Sequence, residues 1–166
     1  MELSKMIMEA HSKTQTNNII AYVGIHQQRF DELVHLFLHG DYRITQRAGW
    51  PMSYIAAEHP ELVQKHLANI IGNLGQPNLH NAVKRNTVRF LQHIDIPENL
   101  QGIVMDCCFR FIDDPKEAVA VKAFSLTILH NLSKKYPEIV PEIKMIVAAR
   151  LPHETAAFKS RAKKFL

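Results

Sequence analysis

The residues best placed to do chemistry in this chain are Arg43, Arg47, Trp50 and Tyr54. They fall at i, i+4, i+7 and i+11, so on a helix they share one stripe. A cation and an aromatic ring on one face can stack on a nucleobase or on a peptide side chain. Gly49-Trp50-Pro51 interrupts this stripe. Pro51 removes a backbone donor and crowds the preceding turn, so the helix is predicted to kink near Arg47. The stripe also has a structural reading, because a lone Trp in a small protein is more often core than ligand platform.

Other constellations are weaker. His35 and His39 stand at i and i+4, a spacing that can hold a metal, but no Glu follows in a His-Glu-x-x-His pattern and no third ligand is evident. Cys107 and Cys108 are adjacent and therefore no disulfide framework. On a helix their side chains diverge by ~100°, so one is expected in the core and the other partly exposed. Arg110 nearby makes a reactive thiol conceivable, while Met105, Phe109 and Phe111 argue for packing. There is no Gly-rich phosphate loop and no Gly-x-Ser-x-Gly. No cofactor and no metal is implied.

These residues need a scaffold, and the scaffold is periodic. Arg47, Arg85, Lys122 and Lys159 recur at intervals of 38, 37 and 37 residues, each preceded by small or apolar residues. A second marker lies between them: His59-Pro60-Glu61, Ile96-Pro97-Glu98 and Tyr136-Pro137-Glu138. Proline suits the first helical turn, and glutamate there suits the helix dipole. Each period therefore reads as two helices. Apolar spacing near 3.6, as in Leu33, Leu36 and Phe37, supports this. The predicted helices span 2–12, 14–25, 28–39, 41–58, 61–73, 78–93, 97–113, 115–134, 137–150 and 153–166, in five antiparallel pairs forming one domain over 1–166. The period is longer than the ~33–34 residues of ankyrin and tetratricopeptide units and suits HEAT or armadillo units.

Asp41-Tyr42-Arg43-Ile44-Thr45-Gln46-Arg47-Ala48 resembles the HEAT second-helix signature, an aspartate at the turn and an arginine six residues later followed by a small residue. Later copies keep the basic residue but carry Leu79, Lys116 and His153 at the aspartate's offset. The last copy, Thr155 to Lys164, with the preceding Lys116 to Lys135 helix, resembles a short bacterial family of HEAT-like proteins sometimes labelled adenylosuccinate lyase. The Met-Pro serine-rich loop and Lys-x-Asn of that enzyme superfamily have no counterpart here, and the chain is too short for its helical bundle. The resemblance implies an all-α, right-handed α-α superhelix, a HEAT/armadillo-like solenoid of about five hairpins. Its terminal helices would act as caps, and its second helices would line a concave face.

Charge follows that division. Segments 41–58, 78–93, 115–134 and 153–166 carry 0, +3, +2 and +3, while the whole chain of 166 residues carries only +4, so the remainder is acidic. On the resemblance, the inner face is basic, and Arg47, Arg85, Lys122 and Lys159 form a ladder along it. A positive groove concentrates anionic partners. The alternative, also implied by the resemblance, is that aspartate and arginine of neighbouring units pair to lock the stack; Arg47 has Asp41 at the right offset, and pairing is expected there. The other three rungs lack that aspartate and are freer to meet a ligand. Some HEAT-like proteins are DNA glycosylases, whose cleft needs a carboxylate beside its aromatics. Here Asp41, Glu58, Glu117 and Glu154 stand only near helix ends.

The expected function is non-catalytic: a scaffold that binds an anionic partner, foremost a protein with an acidic surface. Its contact residues would be Arg47, Lys84, Arg85, Arg89, Lys122 and Lys159, with Trp50 and Tyr54 as an aromatic anchor. Nucleic-acid binding or a diverged glycosylase is the alternative. A content of 46% apolar and 22% charged residues excludes a disordered chain. Glu2 and Glu9 exclude a signal-peptide reading of the first ten residues, no membrane-spanning run occurs, and a cytoplasmic location is expected.

Overall fold

The computed structural model describes residues 2–166, and among these there is helix, turn and coil but no strand. The helices are α1 (Glu2–Glu9), α2 (Lys13–Val23), α3 (Gln27–His39), α4 (Tyr42–Glu58), α5 (Pro60–Val63), α6 (Leu67–Leu74), α7 (Asn81–Leu91), α8 (Glu98–Asp113), α9 (Val119–Ser133), α10 (Val140–Arg150) and α11 (Ala156–Ala162). α5 and α6 are one segment interrupted by a 3-10 turn at Gln64–His66. Counted so, the described residues form ten helices packed in sequential pairs, the all-α repeat architecture expected.

Local chemistry sets the boundaries. The Ser12 hydroxyl accepts from the Gln15 N–H at 3.1 Å, opening α2. The Asp41 carboxylate accepts from the Ile44 N–H at 2.9 Å, opening α4. Each satisfies an amide that the helix itself leaves unpaired. α2 ends where Gly24 adopts φ 51°, a conformation open to glycine at little cost.

Among the boundaries that depart from expectation, three have a visible local cause. α7 begins at Asn81 because Asn78 sits at φ 63°, outside any right-handed helix. α9 begins at Val119 because the Asp114 carboxylate takes the Lys116 N–H at 2.8 Å and Glu117 takes the Ala118 N–H at 2.9 Å, holding a turn instead. The segment opening at Pro137 starts as a 3-10 turn, Pro137–Ile139, and becomes α-helical at Val140. Pro141 has no N–H to return to the Pro137 carbonyl four residues earlier. α4, by contrast, continues unbroken through Pro51.

The chain divides into two compact units, the first ending at Ile94 and the second running from Asp95 to Leu166. In the first, α3 packs on α4 and α4 on α7, while α1 and α2 also lie against α4. Phe30, Phe37, Met52, Ile55 and Phe90 are fully buried between them. Each contributes roughly 1.5–3 kcal/mol of transfer free energy. Asp31 joins α3 to the α5–α6 segment. Its carboxylate lies 2.6 Å from His66 Nε2, accepts from Gln27 at 2.8 Å and pairs with Lys65. Burial pushes the Asp31 carboxyl up, but hydrogen bonds from Lys65, Gln27 and His66, with the Lys65 charge, outweigh it and bring the pKa to about 2.

In the second unit α8 packs on α9, α9 on α11 and α10 on α8. Val104, Leu126, Leu129, Ile143 and Phe158 form its centre. The Tyr136 hydroxyl donates to Gln101 Oε1 at 2.7 Å, tying the turn after α9 back to α8. Among the described residues, no helix is long and apolar enough to cross a membrane.

Candidate functional site

The first unit brings α4 and α7 unusually close at one point. Gly49 is buried on α4, and a Cβ built there would lie 2.4 Å from Asn86 Nδ2 and 3.1 Å from the Phe37 ring. The bare backbone is what admits Asn86. That side chain is 2% exposed, and its Nδ2 donates to the Ala82 carbonyl at 2.8 Å. This bond identifies the other amide atom as the oxygen, and Asn86 Oδ1 is buried with no hydrogen-bond partner.

Beside this contact a cleft of about 240 Å³ is lined by His11, Gln46, Trp50, Arg85, Asn86 and Arg89, none of them acidic. Trp50 is half-buried, and its indole N–H is closed off from solvent without an acceptor. The cleft lining thus includes one unmatched donor and one unmatched acceptor. Each costs of the order of 1–3 kcal/mol while it stays unpaired. Arg85 and Arg89 are one helical turn apart on α7 and therefore share a face. Arg85 is exposed and Arg89 half-buried. Burial lowers the Arg89 pKa from its usual value; Tyr54 opposes this and the Arg85 charge adds to it. The Arg89 guanidinium remains charged at neutral pH. Tyr54 is 44% exposed, with its ring 6.3 Å from that of Trp50.

α7 is held at its start by His80. The His80 Nδ1 accepts from the Ala82 N–H at 3.0 Å, and its ring stacks against Tyr42 at 4.5 Å. Accepting that N–H requires the unprotonated ring nitrogen, and burial lowers the pKa of His80.

The structure therefore gathers Trp50, Tyr54, Arg85 and Arg89 in one place, with Lys84 half-buried on the same helix. His11, Gln46 and Asn86 join them, though none stood out in sequence. Asn86 follows Arg85 inside the repeat marker, and Gln46 stands four residues before Trp50; those were the available signals.

Two of the four basic rungs are committed elsewhere. Arg47 does not pair with Asp41, which caps its own helix. The Arg47 guanidinium donates to the Met8 carbonyl at 2.9 Å and reaches the Ile7 carbonyl at 3.5 Å, closing the C-terminus of α1. A cation there complements the negative end of the helix. Lys122, expected at a ligand surface, is 4% exposed. Its ammonium donates to Glu154 Oε1 at 2.6 Å, with the Arg150 guanidinium 3.6 Å from the same oxygen. Lacking the aspartate at the family offset did not free Lys122, because Glu154 of the following repeat, one residue beyond His153 at that repeat's aspartate position, pairs with it instead. Lys159 is exposed on α11, beside a separate cleft of about 380 Å³ lined by Leu151, Pro152, Lys163 and Leu166.

Both cysteines are buried, whereas one was expected to be partly exposed. Burial pushes the Cys108 thiol up to about 12. Burial also raises Cys107, against the pull of Arg110, whose guanidinium lies 3.4 Å from its sulfur. Thiols held protonated are poor nucleophiles. His35 and His39 are exposed with ring centroids 5.0 Å apart, and the described residues contain no group of three or more side chains that could hold a metal.

No curated protein and no solved structure matches the chain. A family model described as a HEAT repeat domain matches residues 3–165, nearly the whole length. With its sequentially paired helices and 37–38-residue period, the chain belongs to the HEAT repeat domain family.

Proposed function

We propose that the chain is a non-catalytic interaction scaffold whose contact surface is the cationic cleft between α4 and α7, and that its partner is a protein presenting an acidic segment. HEAT repeat domains generally act as interaction scaffolds. The observation that carries the reading is the pairing of Arg85 and Arg89 on a cleft whose lining holds no acid. Like charges one turn apart repel, and an incoming anion relieves that repulsion. Trp50 and Tyr54 supply the aromatic wall of the same surface. Arg47 and Lys122 are left out of the contact set, since each serves the fold. Lys159 belongs to the second unit and is not needed for the reading.

A second reading, single-stranded nucleic acid, is favoured by the ring pair beside the arginines, an arrangement on which bases can stack. One experiment separates the two. Immobilised wild type and Arg85→Glu are compared for retention of acidic proteins and of single-stranded DNA at low salt. Acidic proteins held by wild type and released by Arg85→Glu support the proposal. DNA held in their place, with a steep loss of binding on adding salt, supports the second reading. Equal retention by both variants removes the cleft as the contact surface.

A further inference from the structure

We infer that the α4–α7 cleft is a pocket for one acidic residue together with its adjoining peptide units, Arg85 taking the carboxylate and the Trp50–Asn86 pair taking the backbone. This rests on the scaffold reading above and specifies what that surface recognises.

Size comes first. At about 240 Å³ the cleft falls below the ~300–1,000 Å³ of pockets for drug-sized ligands, so it accommodates a residue rather than a cofactor. Polarity comes second. Among the residues lining the cleft, the buried atoms left unmatched are one donor, the Trp50 indole N–H, and one acceptor, Asn86 Oδ1. A peptide backbone is the complement of that pair, the units on either side of one residue offering a carbonyl to the donor and an N–H to the acceptor. A phosphodiester offers acceptors alone and leaves Asn86 Oδ1 unmatched. Charge comes third. Arg85, exposed at the cleft, can hold a carboxylate, and none of the lining residues is acidic.

Both unmatched atoms are shut off from solvent in the ligand-free chain, so they are satisfied only as the cleft opens around its occupant. Trp50 is half-buried on the wall of the cleft. It is also the only Trp in the chain, so its fluorescence reports occupancy directly.

The test uses the whole chain and three capped peptides: a glutamate-rich extended peptide, its glutamine counterpart, and the glutamate peptide with N-methylated backbone amides. The glutamate peptide is expected to shift Trp50 emission saturably. The glutamine and N-methylated forms are each expected to bind about 5- to 10-fold more weakly, the loss of one charge-assisted or backbone hydrogen bond. Arg85→Gln should weaken the glutamate peptide without changing the N-methylation penalty, and Asn86→Ala should abolish that penalty. The peptide comparison needs no variant, so it stands even where Asn86→Ala fails to fold. Equal affinity for the native and N-methylated peptides overturns the pocket and leaves the acidic-partner scaffold standing. No saturable shift with the glutamate peptide up to millimolar concentration overturns the pocket, and equal retention by wild type and Arg85→Glu would remove the scaffold reading as well. Tighter binding of oligothymidylate than of the glutamate peptide overturns it in favour of nucleic acid.

Discussion

Replacing Glu154 by leucine strands a buried lysine. The Lys122 and Glu154 side chains are 5% and 3% exposed, and their charged atoms meet at 2.6 Å. Water cannot compensate for the missing carboxylate at that depth. Removing one member of such a pair costs roughly 3–5 kcal/mol, and the upper part of that range is expected here. Lys122→Met is the gentler change. Glu154 keeps Arg150, whose guanidinium is 19% exposed and 3.6 Å away, and methionine replaces much of the lysine's hydrocarbon stem. A loss of about 1–3 kcal/mol follows from the same reasoning. The double variant Lys122→Met/Glu154→Leu removes the stranded ammonium but leaves Arg150, 19% exposed, without its carboxylate, so it should be more stable than Glu154→Leu and less stable than wild type. Urea unfolding followed by circular dichroism measures all three, while Trp50 fluorescence follows the first unit separately. The reasoning fails if the two single variants lose stability equally, or if the double variant is as unstable as Glu154→Leu.

Gly49→Ala should destabilise although alanine is the better helix former. A propensity gain of ~1 kcal/mol is outweighed because the new methyl would sit 2.4 Å from Asn86 Nδ2, overpacking that costs about 1–3 kcal/mol. Thermal denaturation should show a lower Tm for Gly49→Ala and recovery in Gly49→Ala/Asn86→Ala. Asp31 titrates at about 2, below its ordinary 3.8, so its stabilisation is complete above pH 3.8 and is lost as pH falls toward 2. Acid unfolding of Asp31→Asn should therefore be flatter over that interval. His80 is also lowered from its ordinary 6.5, so its contribution is complete above pH 6.5 and is lost as pH falls through the lowered value. His80→Asn retains a capping oxygen for α7, and its Tm should fall less than that of wild type between pH 7 and pH 5.

The repeat was legible in the sequence because it rests on backbone chemistry that leaves a mark. Proline at a first turn, glutamate beside it and a basic residue every 37–38 positions all survive as letters. The partners of those basic residues do not. Arg47 bonds to the carbonyls of Ile7 and Met8, which every residue type possesses, so no letter announces the contact. Glu154 reads in sequence only as an acid near a helix end, because it lies one place beyond His153, the residue at the last repeat's aspartate offset, just after a 3-10 turn at Leu151–His153. The cleft was half legible. Trp50 and Tyr54 share a helical stripe, but their meeting with Arg85 and Arg89 depends on α4 and α7 approaching through Gly49. In sequence, Gly49 beside Pro51 reads as a kink rather than as a seat for Asn86.

The commitments of Arg47 and Lys122 bear on how this protein tolerates shuffling. Positions that align in the repeat hold their cations for unrelated reasons, one to close a helix end through backbone oxygens and the other to neutralise a carboxylate in the interior. The modules are therefore not interchangeable parts. Transplanting the Lys122 module into the place of the Arg47 module would bring an ammonium without its Glu154, and leave the α1 terminus without its guanidinium.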